Sequence, residues 1–316
     1  MARLRKRTST SDDILFHEYF LEWVETYKVG LVSDVTLNKY YVTHQQLQLL
    51  APNLQLLDMT RREYQKIMND YALTHEKQTT MDFHHQVKGA VQDAFHDGLL
   101  QRDPSYKAVI KGRAPKPKKD KFLSNADLKK LLATLDLTKD VDDGWDWFTL
   151  IVAKTGMRFA EALAITPNDF DLTDNTLNID KTWDYKSSKG SFKPTKNPSS
   201  IRKIVLDWQI IGQFVPRIQH MDSDKPIFVG EKRIYNSMIN TFLRGRCIAA
   251  DVPIISVHSL RHTHASVLLA NDISMHTISQ RLGHSNVTTT QEVYTHIIDE
   301  LKEKDNSKMM QALSGL

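Results

Sequence analysis

Apolar residues recur every three to four positions through the first third of the chain. Phe16, Phe20, Trp23 and Tyr27 form one such series; Leu37, Tyr40, Tyr41, His44, Leu47 and Leu50 form a second. That spacing puts each set on one face of a helix, and Pro52 closes the second helix. Thr60-Arg-Arg-Glu63 has the pattern of a capping box, opening a third helix through Tyr64, Ile67, Met68 and Tyr71. Phe83, Val87, Val91, Ala94 and Phe95 mark a fourth, ending near Gly98. The aromatics read as the core of a small helical bundle over residues 13–110 rather than as a platform for stacking bases. His84, His85 and His96 fall to its polar face.

After residue 124 the pattern is mixed. Ser124 caps a helix through Leu128, Leu131, Leu132 and Leu135, and a second helix runs around Trp147 to Lys154. From Thr176 to Tyr185 the period changes to two, the mark of a strand. A loop rich in Lys, Ser, Gly and Pro follows, and Ile201 to Leu206 reads as the partner strand. Residues 208–220 and 235–250 are helical again. Leu-Gly-His (282–284) is a helix end, with the glycine just past the last turn and the histidine beyond it. Ile298 to Leu316 forms an amphipathic tail. The expected fold is therefore mainly α with a small β-hairpin, in two domains, 13–110 and 124–316, joined by a linker at 111–123.

Composition adds few constraints. A chain of 316 residues can bury two cores, and 41% hydrophobic with 25% charged residues is ordinary for a globular protein. A net charge of +4 draws the chain only weakly toward anions, so the distribution of the charge matters more. The single cysteine, Cys247, allows no internal disulfide, suits a reducing cytosol, and reads as a small core residue. No apolar run reaches the ~18 residues of a membrane span, and no apolar stretch follows the basic start, so neither a membrane nor a signal peptide is expected.

The stretch from Val257 to Ile297 concentrates the chemistry. His258 and Arg261 lie three positions apart on one helix; His284 follows, and Tyr294 comes ten residues after it. A phenol is a poor nucleophile at its ordinary pKa near ~10, and it becomes useful when cations hold the electrophile and a base takes its proton. Two His, an Arg and a Tyr make a kit for attack on a phosphodiester. Charge building on the phosphate calls for a second cation. Thr155-Gly-Met-Arg158-Phe-Ala-Glu161 supplies Arg158, with Glu161 one turn on to orient it or a nearby backbone group.

In order, spacing and local context, T-G-x-R-x-x-E, H-x-x-R, L-G-H and the Tyr ten residues later resemble the tyrosine recombinases of the phage integrase family. The resemblance is close over the catalytic region and looser over the helical one. It implies a SAM-like core-site-binding domain before a mixed α/β catalytic domain. It also implies that Arg158 and Arg261 hold the scissile phosphate, that His258 is the base and later the acid, and that His284 steadies the transition state. Tyr294 would be the nucleophile. The family's catalytic lysine sits on a hairpin before a Ser-x-Arg strand entry, which Lys196 matches, with Lys186, Lys189 and Lys193 as competitors. No metal or cofactor is implied.

The implied partners are double-stranded DNA, further copies of the chain as a tetramer on DNA, and an excisionase or DNA-bending factor. The tail from about 298 would pack onto a neighbouring subunit or its own domain. Lys111, Arg113, Lys116, Lys118, Lys119 and Lys121, around Pro115 and Pro117, would contact phosphates between two halves that face DNA. Arg3, Arg5, Lys6 and Arg7 in residues 1–12 are either a solvated tail or a basic arm, and Arg233, Arg244 and Arg246 are further candidates for DNA contact. Within the family the Lys-rich hairpin and the run from Ser285 to Tyr294 look like integrases of Gram-positive phages and mobile elements. The helical domain begins almost at once, so an arm-site-binding domain is either missing or removed.

Four rival readings remain. His258, His262 and His264 are close enough in sequence to suggest zinc, but no HExxH is present and an Arg stands among them. A type IB topoisomerase shares the tyrosine chemistry but not the Leu-Gly-His context. A chromosome-resolving recombinase is also short. A non-catalytic DNA-binding protein would not need all six positions filled.

Overall fold

A computed structural model of the chain describes residues 14–115, 122–141, 144–187, 189–288, 291 and 314. The basic tail 1–12, Lys116, Lys118, Lys119 and Lys121, Tyr294, and the tail from 298 apart from Ser314 lie outside the described residues. The chain divides into two compact units, 1–118 and 119–316.

The first unit is a bundle of α1 (Phe16–Tyr27), α2 (Asp34–Leu50), α3 (Arg61–Ala72) and α4 (Lys77–His96), with a 3₁₀ turn at Leu56–Asp58. Side-chain oxygens start two of these helices: Ser33 accepts from the Thr36 N–H and Thr60 from the Glu63 N–H, each satisfying a donor the helix itself leaves open. Phe16, Phe20, Trp23, Leu47, Tyr64, Met68, Phe83, Val87 and Val91 form the core. Tyr27 and Phe95, at the ends of their series, remain exposed. Trp23 donates its indole N–H to Asp93 at 2.6 Å, tying α1 to α4.

Two expectations change here. His84 is not on a polar face: it is buried, with Nδ1 2.8 Å from the Tyr64 hydroxyl. That partner lets an imidazole enter the core, and burial lowers its pKa and keeps it neutral. The segment expected to begin the linker is also pinned to this unit. The Arg113 N–H donates to His75 O at 2.8 Å, and its Nε–H donates to Leu73 O at 2.6 Å, just past the end of α3. A cation at a helix C-terminus meets the negative end of the helix dipole, and Arg113 remains exposed there. Lys111 is exposed.

The second unit comprises α5 (Asn125–Ala133), α6 (Asp146–Thr155), α7 (Phe159–Leu163), β1 (Phe170–Asp171), β2 (Thr176–Ile179), β3 (Lys181–Trp183), β4 (Phe192–Pro194) and β5 (Arg202–Val205). After these come a π turn at Ile210–Phe214 leading into α8 (Val215–Ile218), then α9 (Asn236–Ala249), α10 (Val257–Ala270) and α11 (Met275–Leu282). Helix α6 is buried on nearly every side, from Asp146 to Ala153, and forms the centre of the core against which α10 packs. A helix apolar all round belongs in an interior. Cys247 is a fully buried core residue.

The strand expected over 176–185 is broken at Asp180 and serves two sheets. β2 joins β1 and β5 in an antiparallel sheet of order β1-β2-β5, with Leu177 opposite Ile204. β3 instead pairs with β4, Trp183 opposite Phe192, and β4 comes from the stretch read as loop. Alternation with period two continues through a change of sheet, so the pattern alone does not reveal the break. Arg246 is an internal anchor: it donates to Thr134 O at 2.7 Å and pairs with buried Asp146 at 2.8 Å.

Replacing Tyr64 by Phe leaves the buried His84 Nδ1 without its partner. The expected cost is about 1–3 kcal/mol of stability, read as a lower urea midpoint with an unchanged m-value.

Candidate active site

Helices α6 and α11 both end on glycines in the left-handed region, Gly156 at φ 69° and Gly283 at φ 69°. At Gly283 the His284 N–H donates to Ser279 O and the Gly283 N–H to Gln280 O, the paired bonds of a Schellman cap. The cap stops the helix and presents His284. Neither glycine has room for a side chain. A Cβ on Gly156 would lie 2.7 Å from His264 Cδ2, and one on Gly283 3.0 Å from Arg202 Nη1 and 3.1 Å from Ser199 O.

The last carbonyls of these two helices collect arginines. Arg261, almost fully buried on α10, donates Nη1–H to Gly156 O at 2.8 Å and Nη2–H to Leu282 O at 2.7 Å. Arg158, the residue before α7, donates Nη2–H to Gly283 O at 3.3 Å and Nη1–H to Ser200 Oγ at 3.4 Å. The two guanidinium groups therefore sit on successive carbonyls, immediately before His284. His258 lies exposed in the first turn of α10, its ring edge-on to that of His262 at 4.7 Å between centroids. His262 is in turn close enough for its charge to act on His284.

Glu161 organises the other side. Its carboxylate accepts from the Arg158 N–H at 2.9 Å and pairs with Arg158 Nη1 at 2.7 Å and Arg202 Nη2 at 2.9 Å. Burial pushes this carboxyl up, but Arg202 first and Arg158 second more than offset it, so its pKa lies below the ordinary value and it stays ionised. Burial, then the charges of Arg261, Arg158 and Arg202, bring the His284 pKa down to about 4. His264 falls to about 3, through burial and then Arg281. Both imidazoles are neutral at pH 7, and His284 keeps one N–H to donate.

Of the six residues expected at the site, Arg158, Arg261 and His284 meet at one turn, and His258 stands beside His262 on α10. Lys196 is exposed between β4 and β5, four residues before Ser200, and makes no ion pair among the described residues. Its competitor Lys193 is paired with Asp184 at 2.6 Å. Tyr294 lies outside the described residues. Arg202, Arg281 and His264 take part in the site without having been singled out for it. A signal for Arg202 was available: two residues before buried Ile204 on a strand, it must share that inward face. His264 is no zinc ligand, since Nδ1 bonds Ala153 O at 3.0 Å and Nε2 accepts from Arg281 Nε at 3.0 Å. Among the described residues no group of three or more His, Cys, Asp or Glu is placed to hold a metal ion.

The class this defines is a two-unit, mainly helical protein whose second unit gathers guanidinium groups and neutral histidines at the ends of two helices. Residues 121–300 match the sequence model of the phage integrase family, 180 of 316 residues, and the chain belongs to that family. It is 29% identical over 175 residues to the integrase of Staphylococcus phage L54a, covering 50% of this chain and 49% of that one. It is 24% identical over 235 residues to the ICEBs1 integrase of Bacillus subtilis (strain 168), covering 68% and 61%. The chain thus spans about half the length of the phage relative. In fold it is similar to the Tn1549 transposon integrase solved in complex with circular intermediate DNA, with a TM-score of 0.70 at 16% identity, covering 89% of this chain and 95% of that one. No helix among the described residues is long and apolar enough to cross a membrane.

Gly283→Ala forces a side chain into a left-handed position already crowded by Arg202 and Ser199. The expected loss is about 1–3 kcal/mol in thermal or urea unfolding. Stability should also depend on pH with a definite sign. The folded pKa of His264, about 3, lies below the ordinary 6.5, so the unfolded chain takes up its proton first and stability falls as pH drops from 6.5 toward 3. His264 alone contributes on the order of 2–3 kcal/mol between pH 7 and 4.5. His284 acts in the same direction, as does Glu161 below its ordinary 4.5. Urea titrations from pH 4.5 to 7 on wild type and His264→Gln check this, with a shallower slope expected in the variant.

Proposed function

We propose that this chain is a site-specific DNA recombinase that cuts and rejoins DNA through a 3′-phosphotyrosine intermediate, integrating or excising phage or mobile-element DNA. The observation that carries the reading is the convergence of Arg158 and Arg261 on successive carbonyls beside a neutral His284. Arg261 is separated by 105 residues from one carbonyl it holds. Fixed donors around the place where negative charge develops are the usual largest contribution to such catalysis.

Arg158 and Arg261 bind the non-bridging oxygens of one scissile phosphate, for which a planar, permanently charged fork is suited. Tyr294 attacks the phosphorus in line while His258 takes its proton. The bond from phosphorus to the 5′-oxygen breaks, and Lys196 protonates that leaving oxygen. His284 donates a hydrogen bond to the phosphate. In the second step a 5′-hydroxyl gives its proton to Lys196 and attacks the phosphorus, the bond to the Tyr294 oxygen breaks, and His258 returns the proton to the phenolate, so the strand is resealed without ATP. The positive charge this chemistry needs comes from Arg, Lys and His side chains.

Double-stranded DNA is the partner in this reading, with the helical unit on the core site and the 111–123 segment near phosphates. Structures of similar fold have been solved with DNA, the Tn1549 integrase among them. Assembly is as a tetramer on DNA in the cytosol, with an excisionase or bending factor as accessory and the C-terminal tail as a subunit contact. Integration and excision are favoured over chromosome resolution because the relatives include the integrase of Staphylococcus phage L54a at 29% identity, with the ICEBs1 integrase and the Tn916 transposase of Enterococcus faecalis beside it.

The test is a nicked suicide substrate drawn from the element's attachment region, or a library of such substrates. Wild type should accumulate a covalent protein–DNA adduct. Tyr294→Phe should form none, yet bind DNA within about threefold of wild type, since the hydroxyl is needed for chemistry and not for docking. An adduct formed by Tyr294→Phe sinks the assignment of the nucleophile.

A further inference from the structure

Arg202 and Arg281 do more than fill space next to the site. Arg281, at the end of α11, donates Nε–H to His264 Nε2 at 3.0 Å and Nη2–H to Lys154 O at 3.2 Å, joining α11 to α10 and α6. Its own carbonyl accepts the Arg202 Nε–H at 2.6 Å. Arg202, whose side chain is only 6% exposed, also donates to Ser200 O at 2.8 Å and to Glu161 Oε2 at 2.9 Å. Glu161 then holds Arg158. Among the described residues, the path His264, Arg281, Arg202, Glu161, Arg158 touches the elements that carry or adjoin candidate catalytic groups. α10 carries His258 and Arg261, α11 closes just before His284, β5 follows Lys196, and Arg158 precedes α7.

We infer that Arg202 and Arg281 are positioning residues of this active site, setting the place of the Arg158 guanidinium through Glu161 and locking α11 to β5. The inference rests on the recombinase reading for the chemistry that is positioned, and on the geometry above for the path. Both arginines turn their guanidinium groups to protein acceptors. Arg202 spends its donors on Arg281 O, Ser200 O and Glu161, and Arg281 spends its own on His264, Lys154 O and Val205 O. Arginine is required at 202 because one planar group must serve three acceptors in fixed directions, which a single ammonium does not do.

The path has a pH signature that packing alone lacks. The charged groups on Glu161 are Arg158 at the start of its own helix and Arg202 from β5. On the elements packed against α7, Lys181 of β3 is paired with Asp169, and Lys154 of α6 with Asp207. Without Arg202, burial is opposed by Arg158 alone and the Glu161 carboxyl moves up. Once protonated it no longer holds Arg158 by charge, so activity falls as pH is lowered.

The experiment compares wild type, R202M, R202K, E161Q and R202M/E161Q in the suicide-substrate assay across pH, with DNA affinity and circular dichroism measured on each. R202M should form adduct about 10²-fold more slowly, the scale of a misplaced reacting geometry, with DNA affinity kept. Its rate should decline toward acid pH where that of wild type does not. R202K should not restore the rate, and the double variant should be little slower than either single one and lack the added acid limb. Should R202M not fold, R202K, which keeps a positive charge beside Glu161, carries the rate and affinity readouts, and a folded R202K with the wild-type rate overturns the inference. A folded R202M with the wild-type rate and pH profile overturns the inference, as does a double variant in which the two losses multiply. An inactive wild type instead sinks the recombinase reading. The path is then read by carboxyl-carbon NMR of Glu161, whose titration should move up in R202M and whose failure to move overturns it.

Discussion

The last carbonyls of an α-helix have no partner within the helix, and two helices of the second unit end at the same place with theirs turned inward. Gly156 and Gly283 close α6 and α11 in left-handed conformations. The carbonyls of Lys154, Gly156, Arg281, Leu282 and Gly283 all accept hydrogen bonds from arginine side chains. Buried acceptors left unmet would each be costly. Guanidinium groups meet this need well, with several donors and a positive charge facing the negative ends of two helix dipoles. The fold of the unit and its concentration of cations follow from one solution to one problem.

The same solution explains the electrostatics. Arg158, Arg202, Arg261 and Arg281 converge, and Glu161 is the carboxylate that pairs with two of them. The neighbouring His264 and His284 are held neutral, their pKa values brought to about 3 and about 4 by burial and by these same cations. A phosphate entering such a place meets donors already fixed in position, with little reorganisation left to do. The Arg158 side chain is 37% exposed, whereas that of Arg202 is covered.

Much of this was legible along the chain, and the exceptions have a common cause. The helices of the first unit follow their apolar spacing, and Ser124, Thr60 and the Leu-Gly-His turn do what their local chemistry requires. Glu161 was expected to orient Arg158, and its carboxylate contacts both the side chain and the N–H. The readings that changed depend on distant partners. His84 is buried because Tyr64, twenty positions away, reaches it. Arg113 is docked because it meets Leu73 and His75. β3 leaves the sheet of β2 because β4 lies beyond a loop whose composition hides it.

Taken alone, the amino-acid order determined where most helices begin and end, which faces are apolar, and which residue types stand at the spacing expected of the candidate site. These are properties of a few neighbouring residues, set by helical period, capping oxygens and glycine's tolerance of positive φ. Only the tertiary structure decided that Arg158 would sit on a carbonyl 125 residues away, that Arg202 and Arg281 would join it, and that two histidines would lose their basicity there. Burial and charge proximity arise only when separate elements pack, and no local pattern carries them.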